Sequence, residues 1–242
     1  MNATVARLTA RSLLGRRRGL ILLALPAVLL LLCGAARWLA GSSDRLGVVL
    51  LGGFALGTVV PLFALIAGTG AIGPEIDDGS IVYLLAKPLS RPAIVRTKLA
   101  VAAGTVAVAA AVPTLLAGLV LSGTSAGLAV GYAVGALVAG VTYCALFLLL
   151  AVLTRNAVVV GLLYAVIWES VIGGFVPGAQ TLSVRQWSLA LTQQIVGGRA
   201  ADLGVTSAVG PRTAVVLLLV VLVGSTWYAG RRLRTLRLTT DQ

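Results

Sequence analysis

Histidine is absent from the 242 residues, and charged side chains make up only 11% of them. Without an imidazole there is no Ser-His-Asp triad, no HExxH zinc site and no His-ligated haem, because each needs that ring as base or ligand. Acidic residues are scarcer than basic ones, with seven Asp and Glu against nineteen Lys and Arg and a formal charge of +12. The two cysteines, Cys33 and Cys144, lie inside apolar stretches, where they read as small buried hydrophobes and imply no disulfide framework. A G-x-x-x-x-G-K-[ST] run is also missing: the two lysines, Lys87 and Lys98, follow Ala86 and Thr97 where a phosphate-binding loop requires glycine. These absences leave transport, channel, anchoring or receptor work.

What the chain has in quantity is apolar surface. Hydrophobic residues make up 59% of it, and the mean hydropathy is +1.03. A soluble domain of this length would leave part of that content facing water. Several stretches run for about 18 residues or more with almost no charge, long enough to cross ~30 Å of hydrocarbon.

The expected fold class is therefore an all-α integral membrane protein. Residues 1–18 carry Arg7, Arg11, Arg16, Arg17 and Arg18 among Val5, Leu8, Leu13 and Leu14, a pattern that predicts a basic amphipathic helix on the membrane surface. Residues 19–242 then predict a six-span domain, with spans at about 19–40, 46–72, 99–121, 128–153, 157–176 and 213–228. Pro26, Pro61 and Pro113 should kink the first three spans. Gly127, Gly131, Gly135 and Ala139 recur every four residues on span four, and Gly53 and Gly57 do so on span two. Such spacing lets backbones approach closely, and it reads first as packing within the chain and second as subunit dimerisation.

Orientation follows from the Lys and Arg count, because basic loops stay in the cytoplasm. Fourteen of the nineteen lie on one side of the six-span layout: the five N-terminal arginines, Lys87, Arg91, Arg96, Lys98, Arg155, Arg231, Arg232, Arg234 and Arg237. The other side holds Arg37, Arg45, Arg185, Arg199 and Arg212, so both termini are expected in the cytoplasm and no basic residue falls within hydrocarbon. The basic flanks suit anionic lipid at the inner leaflet of the plasma membrane, and their scatter argues against nucleic acid as a partner.

The polar insert between spans two and three carries the densest local signals. Asp77 or Asp78 can cap a helix on which Ile81, Leu84 and Leu85 share one face, Lys87 suits its C-terminal end, and Pro88 stops it. Ser90 can cap a second helix that takes Pro92 in its first turn and runs through Arg96 and Lys98 into span three. Periodicity alone leaves open whether this hairpin projects from the membrane or lies in the headgroups.

Residue by residue, the insert resembles a family motif. Glu75, Asp78-Gly79-Ser80-Ile81, Leu84-Leu85-Ala86-Lys87-Pro88, Ser90-Arg91 and Ile94-Val95 followed by Lys98 resemble the cytoplasmic signature of the ABC type-2 permease family. Members of that family read close to E-x-x-x-G-T-I…L-L-x-x-P-x-S-R-x-x-I-V-x-x-K, and Ser80 stands where many have Thr. The likeness extends more loosely to the six-span layout and to Trp168-Glu169, Pro177-Gly178 and Leu182-Ser183-Val184-Arg185. It implies that hairpin 75–98 is a coupling helix docked on a separate ATP-binding cassette ATPase, with ATP and Mg bound by that partner and no cofactor in this chain. It also implies a dimer with a second permease copy or paralogue, and no catalysis by this chain. Glu75, Asp78, Ile81, Tyr83, Leu84, Leu85, Lys87 and Arg91 are the docking candidates.

Glu169 is the one carboxylate inside an expected span, ~18 Å along it from Ala157. A charge near a helix centre costs ~2.5–3.5 kcal/mol on insertion scales, so it must face protein, water or a partner. It reads either as a pathway or outer-gate residue, with Trp168 and Trp187 beside it, or as a structural hydrogen-bonding group, Arg185 being one candidate partner. Residues 177–212 should form one or two short re-entrant or interfacial helices, with Val184, Trp187, Leu191 and Ile195 as an apolar stripe. The leading expectation is a transporter permease, an exporter of an amphiphilic or hydrophobic substrate. The rivals are an ion-coupled secondary transporter or channel using Glu169, and a non-transporting membrane scaffold.

Overall fold

The computed structural model describes residues 7–10, 15–77, 91–122, 126–172 and 177–235. All regular structure among the described residues is helical. In chain order the main helices are α1 (Arg16–Ala40), α2 (Asp44–Ile76), α3 (residues 91–122), α4 (Ala126–Leu153), α5 (residues 157–172), α6 (Val184–Val196) and α7 (Pro211–Thr235). Five of them, α1 to α4 and α7, include stretches long and apolar enough to cross a bilayer. Helix α5 is shorter: at ~1.5 Å per residue it reaches ~24 Å, less than the ~30 Å of a hydrocarbon core. Of the expected fifth span, residues 173–176 lie outside the described residues.

Most helix limits fall within about four residues of the expected spans, but α3 begins eight residues early and α7 ends seven residues late. The first helix starts at Arg16, so the basic run 16–18 continues into it, and of the expected surface helix only residues 7–10 and 15–18 are described. Helix α3 starts at Arg91 with Pro92 in its first turn, as the insert predicts. Asp77, a candidate N-cap, instead ends the short helix Gly73–Asp77. The ends of the bundle differ in charge. Arg96, Lys98, Arg155, Arg231 and Arg232 mark the more basic end, and the far end carries Arg37, Arg45 and Arg212 with Asp44 near Leu121 and Ala126.

Helix α4 is the axis of the bundle and packs on α2, α3, α5, α6 and α7. Tyr132, Ala136, Ala139, Tyr143 and Phe147 recur at helical spacing on it and are fully buried. In the most apolar 18-residue window of α2 and of α4, 61% of residues are buried, against 11% in α1 and 28% in α7, which places those two at the periphery. The outward faces stay apolar: Val158, Val159, Leu162 and Leu163 of α5 and Val216, Leu219, Val220 and Val223 of α7 are all exposed. An exterior of that kind matches lipid and would be a liability in water.

Three helices widen locally to π geometry, at Val49–Val59, Ala107–Ala111 and Tyr164–Ile172. Two of these segments end just before a proline, Pro61 or Pro113. Proline removes an N–H and crowds the carbonyl four residues back, and a preceding wide turn relieves that crowding.

Gly131 and Gly135 on α4 serve packing within the chain against α6, and Gly140 does so against Val106 of α3. Thr192 Oγ lies 3.1 Å from the carbonyl oxygens of both Gly131 and Ser188. A Cβ at Gly135 would stand 2.5 Å from that hydroxyl, and one at Gly131 would stand 3.1 Å from Val196 Cγ2. Residue 131 meets 192 and 196 while 135 meets 188 and 192, so α6 runs antiparallel along the far half of α4. Gly135→Val should force α6 off α4 at a cost of ~1–3 kcal/mol, read as a lower midpoint of thermal unfolding in detergent. Gly127→Val, where nothing lies within 4 Å, should leave the midpoint in place, and equal shifts would contradict this packing.

Candidate functional site

The first turn of α6 is built from two helices. Like any helix start it presents N–H groups with no partner in its own backbone. Glu169 of α5, fully buried, supplies most of what they need. Its Oε1 accepts the backbone N–H of Val184 at 3.0 Å and the Tyr164 hydroxyl at 3.1 Å. Its Oε2 accepts the Ser183 hydroxyl at 2.5 Å and the backbone N–H of Arg185 at 3.4 Å. Ser183 is the N-cap, and its Oγ accepts the N–H of Gln186 at 3.3 Å. The first three N–H groups are thus all satisfied, and the carboxylate sits at the positive end of the helix dipole.

Arg185 extends the same cluster to α2. Its backbone faces Glu169, and its side chain turns away, with Nε donating to the Gly52 carbonyl at 3.1 Å. A Cβ on Gly57 would lie 3.6 Å from the guanidinium, an ordinary van der Waals contact, so the Arg185 side chain lies along this face of α2. Gly52 is eight residues into α2, or ~12 Å from the Asp44 end, well inside the apolar helix. Arg185, expected in a loop outside the spans, thus reaches the backbone of α2. A carbonyl oxygen has two lone pairs, so Gly52 can accept from Arg185 as well as from its own helix.

The rest of the 177–212 region clamps α6 from the other side. Trp187 is buried, and its Nε1 donates to the Thr181 carbonyl at 2.8 Å, closing the turn that leads into α6. Ser207 donates through Oγ to the Gln186 carbonyl at 2.8 Å and through its N–H to Gln193 Oε1 at 3.2 Å.

A second polar cluster closes the basic end. Lys98 is fully buried on α3, and its Nζ donates to the Ala71 carbonyl and to Glu75 Oε1, both at 2.6 Å. Glu75 Oε2 is buried without a hydrogen-bond partner among the described residues. The pair ties the last turns of α2 to the early turns of α3, so the segment between them leaves from and returns to one fixed base. Lys98, expected in the polar insert, is thus buried near the start of α3, toward the same basic end as Arg96 and Arg231.

The family model described as ABC-2 family transporter protein matches residues 55–223, more than half of the chain. The chain belongs to that family. Comparison with curated proteins returned no match. Both polar clusters of this ABC-2 membrane protein fall within the matched stretch apart from Gly52.

Of the expected docking residues of this ABC-2 protein, Glu75 has its carboxylate engaged by Lys98. Arg91 opens α3, and Asp78, Ile81, Tyr83, Leu84, Leu85 and Lys87 lie outside the described residues. Of the three expected pathway residues, Glu169 and Trp187 are buried in the α6 clamp, and Trp168 is half-buried on α5 next to Glu169. The expected contact between Glu169 and Arg185 exists, but the backbone of Arg185 makes it. Sequence reasoning missed Lys98 as a buried partner, and also Tyr164 and Ser183. Ser183-Val184-Arg185-Gln186 does carry the S-x-x-Q signal of a helix start, which marks Ser183 as a cap.

Glu169→Gln keeps the size but places an NH2 group against N–H donors. It should cost about 2–3 kcal/mol, read as a lower unfolding midpoint in detergent and faster proteolysis within residues 177–196. Trp168→Phe should change neither, and an unshifted Glu169→Gln would refute the capping role.

Proposed function

We propose that this chain is the permease subunit of an ABC transporter that exports an amphiphilic or hydrophobic substrate, powered by a separate ATPase seated on hairpin 75–98. Membership in the ABC-2 transporter family carries the reading, because that family implies an ATP-binding cassette partner and a membrane transport role. The Lys98–Glu75 pair supports the mechanical part. An insert whose two ends are joined by an ion pair between buried Lys98 and partly exposed Glu75 would pass force to α2 and α3 together, where a slack loop would absorb it. ATP-driven closure of two ATPases then moves the hairpins of a permease dimer and switches the spans between inward- and outward-open packings, a hinge or shear transition.

In this reading α5 and the turn after it complete a six-span layout, both termini are cytoplasmic in the plasma membrane, and α6 is a re-entrant helix lining the outer end of the pathway. The mostly apolar side chains of the bundle favour an amphiphile over a sugar or ion. The rival reading, ion coupling through Glu169, is less well supported. Both carboxylate oxygens are already loaded with donors, two each, which leaves no seat for a cation.

Co-expression with the ATPase encoded in the adjacent reading frame tests the proposal. The two chains should co-purify, and Ile81→Asp with Leu85→Asp should abolish co-purification and lower membrane-dependent ATP turnover at least tenfold while leaving the unfolding midpoint of the permease unchanged. Unaltered binding and turnover in that variant would refute docking through the hairpin.

A further inference from the structure

A groove of about 930 Å³ opens on the outside of the bundle between α3, α4 and α7. Leu99, Ala103, Val141 and Leu222 are among the apolar residues that line it. Thr226 also lines it, but its hydroxyl donates to the Leu222 carbonyl of its own helix at 2.6 Å, so it makes no polar demand on an occupant. Gly230 contributes no side chain. Cations gather at one end only. Arg96 of α3 and Arg231 of α7 line the mouth, and the Arg231 guanidinium stands 5.4 Å from the centre of the Trp227 ring. Trp227 is 62% exposed, as suits an aromatic side chain at the boundary between hydrocarbon and headgroups. From Leu222 to Arg231 the groove follows nine residues of α7, or ~14 Å, close to the ~15 Å depth of one leaflet's hydrocarbon.

We propose that this groove binds an anionic glycerophospholipid, its acyl chain along Val141 and Leu222 and its phosphate between Arg96 and Arg231. The occupant must be apolar at depth and negative at the mouth. Free phosphate would use only the mouth and leave the apolar floor unfilled. A second copy of this chain would bring its own basic end against the arginines. Guanidinium groups bind phosphate oxygens through paired N–H donors, and the cation–π contact parks Arg231 at headgroup level. Trp227 and Arg231 lie beyond the stretch matched by the family model, and the inference stands whether or not the transport reading holds.

Native mass spectrometry of the delipidated full chain in mild detergent tests this, titrating phosphatidylglycerol against phosphatidylcholine of the same chain length. Phosphatidylglycerol should bind at least tenfold more tightly. Arg96→Gln and Arg231→Gln should each weaken it roughly fivefold and leave phosphatidylcholine unaffected. Ala103→Phe, which fills the floor, should weaken both lipids, and millimolar inorganic phosphate should not displace either. Equal binding of the two lipids, unchanged phosphatidylglycerol binding in both arginine variants, or displacement by inorganic phosphate alone would overturn the proposal. So would a dimer that dissociates when lipid is added, since that marks the groove as an interface between copies.

Discussion

A helix that begins inside an apolar environment has to bring partners for its own N–H groups, and α6 does so with a carboxylate borrowed from α5. Glu169 alone in the apolar part of α5 would be a cost on insertion; α6 alone would begin with unmet donors. Together they offset each other. Tyr164, Ser183 and the backbone of Arg185 complete the set, while the Arg185 side chain carries the contact on to the Gly52 carbonyl of α2. The far half of the bundle therefore depends on one buried acid, with the small faces of Gly131 and Gly135 providing the close berth that α6 needs.

The basic end repeats the same logic with the sign reversed. Lys98 is a buried cation met by one carboxylate and one carbonyl, and it joins the ends of the two helices that bracket the insert. Removing the carboxylate would leave the buried Lys98 ammonium with only a carbonyl to meet it, a costly arrangement even though Glu75 itself is partly exposed. The two polar clusters thus sit toward opposite ends of the bundle, one joining α2 to α3 and the other capping α6.

Much of this was legible in the sequence because hydrocarbon is an unforgiving solvent. Runs without charge located the apolar parts of α1 to α4 and α7, and Pro92 marked the start of α3, whereas the cap signal at Ser183 went unread. The resemblance of the insert to the type-2 permease signature pointed to the family that the wider match then established. Two cations are engaged where their sequence positions carried no sign of it. A count by loop position treats every Lys and Arg outside an apolar run as wet, yet Lys98 and Arg185 reach backbone carbonyls on α2 that are distant in sequence. The π segments were also illegible, since no local residue type encodes a wide turn; Pro61 and Pro113 signalled a disturbance without its geometry.

The central claim is that α6 lies within the membrane, against α4, and not on its surface. A nitroxide scan along residues 184–196, in a Cys33→Ala/Cys144→Ala background reconstituted in bilayers, measures this through collision with oxygen and with a water-soluble nickel complex. The account predicts little nickel contact at 184–190, rising toward 196 as α6 approaches the far end. Uniform nickel access along the whole helix, or a three- to four-residue period between water and lipid typical of a surface-lying helix, would contradict it.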